Sequence, residues 1–439
     1  MRSALVLGDL LARVADAGRV FARERTVPED DLADRCEVLL SGSGEATGLA
    51  IAREILDRYA ALSADDRLAF LRDLSRRFGV NRPALEAALA RWRETDDEAD
   101  LRRIHVASEP RSQELVRRLN RAPSGTRALV AMRADLLKAV AEEPALAALD
   151  DDFRHLFSSW FNRGFLELRS IDWSTPAEIL EKIITYETVH EIADWKDLRR
   201  RVAAPDRRLY AFFHPALPND PLIFVEVALT DAIPSAIGPI LAEERTPLDP
   251  SAATTAVFYS INNCQYGLRG ISFGNFLIKQ VVEELSREFR TLKTFVTLSP
   301  APGLRAFALR EAERGEEGLL SEAEIATVRS LEAGEEPGEA AVLALAARYL
   351  LEGRSPRGGP ADPVARFHLG NGARLERVNV SADGSPRGLR AAWGVMVNYL
   401  YDLPSIERNH EAFAASGAVA VSQAVRRHLR TRDTGTPVR

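Results

Sequence analysis

The sequence predicts an α+β protein of two domains, an all-helical domain over residues 1–157 followed by a mixed α/β domain over 158–439. Three observations predict it. Apolar residues recur at three- and four-residue spacing through the first part, β-rich runs begin only near residue 208, and a strand, a glycine-rich loop, a helix and another strand then follow in order. A chain of 439 residues, 46% of them hydrophobic, is long enough to bury more than one core.

Taken in order, "MRSALVLGDLLARVADAGRV" reads as a first amphipathic helix, because Asp9 and Asp16 interrupt what would be the apolar core of a secretion signal. Helical periodicity continues through "REILDRYAALSADDRLAFLRDLSRRFG", "PALEAALARWRE", "SQELVRRLNRA" and "ALVAMRADLLKAV". Ser63 and Asn81 are placed to cap helix N-termini, and Gly79 to stop a helix. This half holds no polar cluster that suggests chemistry. Its leftover apolar faces suit self-association.

The boundary falls near "FSSWFNRGFLELRSIDWSTPAEILEKI", where aromatics crowd and Pro176 opens a fresh helix. "RLYAFFH" and "LIFVEVALT" read as an antiparallel hairpin around "PALPNDP". "TAVFYSI", the loop "NNCQYGLRGISFG", the helix "NFLIKQVVEELSREF" and the strand "TFVTLSP" make an α/β unit. Residues 308–350 are acidic and helical around the turn "AGEEPGE", and "EGRSPRGGPADP" has the composition of a mobile linker. "FHLGNGARLERVNV" reads as a strand broken by its glycine turn, and a helix is expected to start near "SPRGLRAAWGVMVNYLYDL".

Composition narrows the function classes. A net charge of −6 lacks the excess of Lys and Arg that a nucleic-acid surface draws on. No window is apolar enough for a membrane span. The end "GTPVR" is no peroxisomal address, and Cys36 and Cys264 cannot build a disulfide framework or a four-ligand zinc site. A reducing cytoplasm, no metal and small or carrier-bound ligands are the expectation.

Chemistry could sit at few places. Glycines 267, 270 and 274 end a strand and open a helix, a geometry that can hold an anion, though such turns often satisfy only themselves. Ser299, stiffened by Pro300 and Pro302, stands at a strand's carboxyl end, where it reads either as a ligand group or as a cap for the next helix. His368 reads equally as a satisfied core histidine. His214 suits a structural role, Glu226 is expected to face solvent or a partner strand, and Tyr259 and Asn263 are secondary ligand candidates. "DLRRRVAAPDRRL" reads as a solvated basic face.

The blocks "FYSINNCQYGLRGISFGNFLIKQVVEEL", "TLSPAPG" and "RFHLGNGARLERVNVSADGSPRGL", in that order and spacing, closely resemble the malonyl-CoA decarboxylase family. The resemblance runs from about Trp160 to Tyr401. It implies a GNAT-like acyl-CoA catalytic domain behind a helical, oligomerising one. It further implies that Arg269, Gly270, Ile271, Ser272, Phe273, Gly274 and Asn275 hold the coenzyme A pyrophosphate, with Ser299 as catalytic proton acceptor and His368 as proton donor. Against the generic acetyltransferase loop the fit is imperfect, since Leu268 or Ser272 falls where a motif glycine belongs. The implied reaction turns malonyl-CoA into acetyl-CoA and CO2 in a homo-oligomer, dimer or tetramer. It needs no cofactor beyond the coenzyme A of the substrate, because the thioester itself accepts the electron pair. An acyltransferase on the same fold and a catalytically silent acyl-CoA sensor are the rival readings.

Overall fold

In a computed structural model of the chain, the described residues are 13–14, 31–42, 44–271, 273, 277–356 and 358–429. The N-terminal amphipathic helix expected over the first twenty residues lies almost wholly outside them. The chain forms two compact units, one of residues 1–167 with 212–222 and 263–274, the other of 168–211, 223–262 and 275–439.

The first unit is built from helices Leu32–Leu40, Glu45–Ala61, Ala64–Arg77, Arg82–Thr95, Glu98–Ser108, Arg111–Asn120, Gly125–Val140 and Ala147–Trp160. Their starts follow from local chemistry. The Ser63 hydroxyl accepts the Asp66 N–H and the Asn81 side chain accepts the Ala84 N–H, so both expected caps satisfy an otherwise orphaned donor. Leu74, Phe78, Leu115, Leu119, Leu136, Phe153 and Phe157 are buried together at the spacing the periodicity demands. Helix Glu98–Ser108 keeps Leu101 and Val106 exposed.

The second unit contains most of a sheet of strands β1 (Glu167–Ile171), β2 (Arg207–Phe213), β3 (Ile223–Thr230), β4 (Thr255–Asn263), β5 (Thr294–Thr297), β6 (Ser299–Pro300), β7 (Arg374–Asn379) and β8 (Met396–Leu400). Their order is β1-β2-β3-β4-β5-β8-β6, with β7 also on β8. β4 and β5 run parallel, so a crossover is required, and helix Leu277–Glu288 supplies it. Their pairing ends at Phe258 and Thr297, while β4 runs on to Asn263. Against β8, Val296 faces Leu400, Ser299 faces Val397 and Pro300 faces Met396. That single register makes β5 and β6 one strand interrupted at Leu298, whose N–H turns instead to the Phe258 carbonyl at 3.0 Å.

Several sequence expectations are corrected here. Residues 363–370 form a helix rather than a strand, because Asp362 caps it, Pro363 pre-sets its first turn and Gly372 (φ +82°) follows its end. The strand is Arg374–Asn379. The helix from Pro386 stops at Ala392, where Trp393 (φ +49°) and Gly394 (φ +77°) turn the chain, and "MVNYL" becomes β8. The segment read as a linker is a closed turn, with Ala361 N–H bonded to the Gly353 carbonyl and Ser355 N–H to that of Gly359. Glu226 is fully buried, not solvent-facing. Burial pushes its carboxyl up to about 8, although the Arg201 guanidinium stands 3.3 Å away. Arg201 and Arg207 are likewise buried, so the basic run is only partly a solvated face.

Candidate active site

Alternation along the interrupted strand puts Thr297 and Ser299 on one face and Val296 and Leu298 on the other, where they pack with Val257, Tyr259 and Met396. On the first face the Ser299 hydroxyl lies 3.1 Å from His368 Nε2 and 2.9 Å from Thr297 Oγ1. Thr297 Oγ1 also accepts the Tyr399 N–H at 3.1 Å, and the Thr297 carbonyl accepts Asn398 Nδ2 at 2.8 Å. Side chains therefore replace ladder bonds beside the interruption. The serine is held at a break in the sheet whose backbone groups remain satisfied.

His368 sits in the last turn of its short helix. Its Nδ1 is 2.8 Å from the Tyr401 hydroxyl, and its ring stacks on Tyr399 at a centroid distance of 4.7 Å. Both ring nitrogens are thus engaged, and the ring plane is fixed. Tyr401 in turn meets Phe258 edge-on. Ser299 and His368 are each almost inaccessible, 6% and 3% exposed. Burial alone pushes the imidazole down to about 3, so at neutral pH the pair is a hydroxyl against an uncharged ring. A neutral imidazole can donate one hydrogen bond to a developing oxyanion, and a buried donor of this kind is worth most where charge appears.

Hydrogens can run either way along Tyr401, His368, Ser299 and Thr297. If Tyr401 donates to Nδ1, Nε2 carries the ring hydrogen and Ser299 accepts it; if Nδ1 donates, Nε2 accepts from Ser299. In the first arrangement the Ser299 hydrogen is free for another acceptor; in the second it is spent on Nε2. The Tyr399 hydroxyl is buried with no hydrogen-bond partner among the described residues.

The glycine loop is described in part. Ser272, Gly274 and Asn275 lie outside the described residues; Arg269 and Gly270 are exposed, Ile271 and Phe273 buried. Within the first unit the loop is anchored by Arg133, whose Nη1 donates to the carbonyls of Gly267 at 2.7 Å and Arg269 at 3.0 Å. Asp150 balances that buried guanidinium at 2.8 Å. Gly267 has to be glycine, because a Cβ there would lie 1.9 Å from the Val130 carbonyl oxygen. Gly270, at φ +80°, is in the left-handed region.

The remaining candidates fall elsewhere. His214 has a structural place, with Nε2 3.1 Å from the Trp160 carbonyl and Nδ1 accepting the Ala216 N–H. Tyr259 is buried in the core on the face opposite Ser299, while Asn263 is exposed at the end of β4. Thr297, Tyr399 and Tyr401 were not singled out from sequence. Reading "VMVNYLY" as an alternating strand would have placed both tyrosines on one face. Among the described residues, no group of three or more His, Cys, Asp or Glu is placed to hold a metal ion, and no helix is long and apolar enough to cross a membrane.

Comparison with known proteins supplies the family. The signature of the malonyl-CoA decarboxylase C-terminal domain matches residues 164–438, and that of the N-terminal domain matches 78–161. The mitochondrial malonyl-CoA decarboxylase of Anser anser anser is 35% identical over 412 residues, 85% of this chain and 82% of that protein. The solved malonyl-CoA decarboxylase of Rhodopseudomonas palustris superposes with a TM-score of 0.87 at 52% identity, covering 90% of this chain and 98% of that one. The Agrobacterium vitis structure gives a TM-score of 0.86 at 54% identity, covering 92% and 100%. With both domains matched in order and relatives aligned over most of their length, the chain belongs to the malonyl-CoA decarboxylase family.

Proposed function

We propose that the protein is a carboxy-lyase that converts malonyl-CoA into acetyl-CoA and CO2 through a thioester enolate, without a metal or organic cofactor beyond the coenzyme A of its substrate. The observation that carries this reading is the buried 3.1 Å contact between Ser299 and a neutral His368, in a chain of this family. As the bond to the carboxylate carbon breaks, its electron pair moves into the thioester, and negative charge grows on the carbonyl oxygen. Protonation of the remaining carbon, one proton per turnover, gives acetyl-CoA.

Ser299 and His368 divide this work. A hydrogen bond aimed at the growing oxyanion in a dry site contributes about 3 to 4 kcal/mol. A hydroxyl is also a better neighbour for the departing carboxylate than a cation, which would hold the ground state. His368 acts as proton donor and Ser299 as acceptor, with Tyr401 biasing the ring hydrogen toward Nε2. Coenzyme A is held by residues 269–275, next to the point where Arg133 donates to the Gly267 and Arg269 carbonyls. The apolar Leu101 and Val106 of the helical unit support a homodimer or homotetramer. The two buried thiols suit a reducing cytoplasm, whereas the curated relative named above is mitochondrial.

The test is CO2 release from malonyl-CoA with no acyl acceptor present, an omission that an acyltransferase would not tolerate and a silent sensor would not exploit. Ser299→Ala and His368→Asn are each expected to lower turnover about 100-fold or more while acetyl-CoA still binds. Near-normal CO2 release by both variants refutes the assignment.

A further inference from the structure

We propose that Asp362 and Tyr349 act as a positioning clamp that sets the separation of Ser299 and His368, an inference that rests on those two being the catalytic pair. Asp362 is fully buried. Its Oδ1 accepts the Ala365 N–H at 2.8 Å, so it caps the helix that carries His368. Gly303, at the start of helix Leu304–Glu313, lies against it: a Cβ on Gly303 would stand 3.9 Å from Asp362 Oδ2. Ser299 precedes that helix by one short, stiff turn containing Pro300 and Pro302. One carboxylate thus caps the helix that bears the imidazole and packs against the start of the helix that anchors the exit from the serine. Both reacting groups are referenced to the same pair of oxygens.

Tyr349 closes the clamp from helix Glu339–Glu352. Its hydroxyl donates to Asp362 Oδ2 at 2.8 Å, and its ring packs on Phe307 at 4.9 Å. The fit has no slack. A Cβ on Gly303 would lie 2.3 Å from the Tyr349 hydroxyl oxygen. If Asp362 were a helix cap and nothing more, any small capping residue would serve as well, and Tyr349 would not need to reach it. Catalytic pairs are sensitive to such placement, since a displacement of about 1 Å can cost roughly 100-fold in rate.

Two substitutions in the full-length protein separate a clamp from a cap. Asp362→Ser retains a good N-cap but cannot span to the Tyr349 hydroxyl. Tyr349→Phe keeps the ring and removes only the hydroxyl. Each is expected to lower kcat about tenfold or more, with KM for malonyl-CoA within about twofold of wild type. Combined with Ser299→Ala, the same changes should have no further effect on the residual rate, because there is no longer a pair to position. Wild-type kcat in Tyr349→Phe, or losses that add to that of Ser299→Ala, overturns the clamp. Should Asp362→Ser not fold, Tyr349→Phe and its double variant decide alone. Failure of the catalytic pair itself looks different, because Ser299→Ala by itself would then retain full turnover.

Discussion

Replacing Tyr401 with Phe deletes one oxygen and leaves the ring against Phe258 in place. That oxygen is 2.8 Å from His368 Nδ1, and both residues are buried to within a few per cent. No water can take its place without opening the core, so the substitution leaves a buried ring nitrogen without a partner, at a cost of about 1 to 3 kcal/mol. On the proposed mechanism the penalty is greatest where the imidazole polarises the thioester oxygen, because a Tyr401 hydrogen bond to Nδ1 favours the hydrogen on Nε2 and resists rotation of the ring. At about 1.4 kcal/mol per factor of ten, turnover should fall roughly 5- to 150-fold. The KM for malonyl-CoA should hardly change, since Tyr401 acts through His368. The assay is steady-state acetyl-CoA formation, with acetyl-CoA binding measured by calorimetry on the same sample. A kcat within about twofold of wild type would refute the argument that the second ring nitrogen must be held.

Two other outcomes follow from burial and close packing. Because burial depresses the His368 pKa from its ordinary 6.5 to about 3, the folded state binds fewer protons than the unfolded chain between those values. The associated stability is present above 6.5 and is lost as pH falls toward 3, while turnover should show no limb from this ring above about pH 5. A limb near pH 6.5 in kcat/KM that disappears in His368→Asn would contradict it. Gly267→Ala should destabilise the protein and weaken acetyl-CoA binding about tenfold or more, since its Cβ meets the immovable Val130 carbonyl. Unchanged affinity by calorimetry would place coenzyme A away from this loop.

The legible parts of the fold were those whose signals are local. Helical periodicity, the Ser63 and Asn81 caps and the strand, loop, helix and strand around residues 255–300 are all written in contiguous residues. What escaped depends on partners far along the chain. Nothing local distinguishes "MVNYL" as a strand from a continuation of the helix at Pro386, and only pairing with β5, β6 and β7 makes it the strand that carries Tyr399 and Tyr401. His368 was read as a strand residue because the strand signal of "RLERVNV" just beyond the glycine turn was extended back over it, against the Asp-Pro start signal at 362–363. Glu226 misled because alternation implies an outer face, yet both faces of this strand are covered, and a buried carboxylate then needs Arg201. Ser299 and His368 could be named from sequence, but their meeting across 69 positions is a fact of topology.

The Arg133 anchor bears on how this enzyme family can be rearranged. Residues 263–274 group with the helical unit although they lie far downstream of it, and the Gly267 and Arg269 carbonyls accept hydrogen bonds from a guanidinium on helix Gly125–Val140. A shortened chain beginning after residue 161 would keep Ser299 and His368 and lose the Arg133 guanidinium that holds the Gly267 and Arg269 carbonyls. Swapping N-terminal halves between homologues meets the same obstacle unless Arg133, Asp150 and the close approach at Gly267 travel together. The helical half is then a template for the loop as well as an attachment, and the two parts are not interchangeable modules.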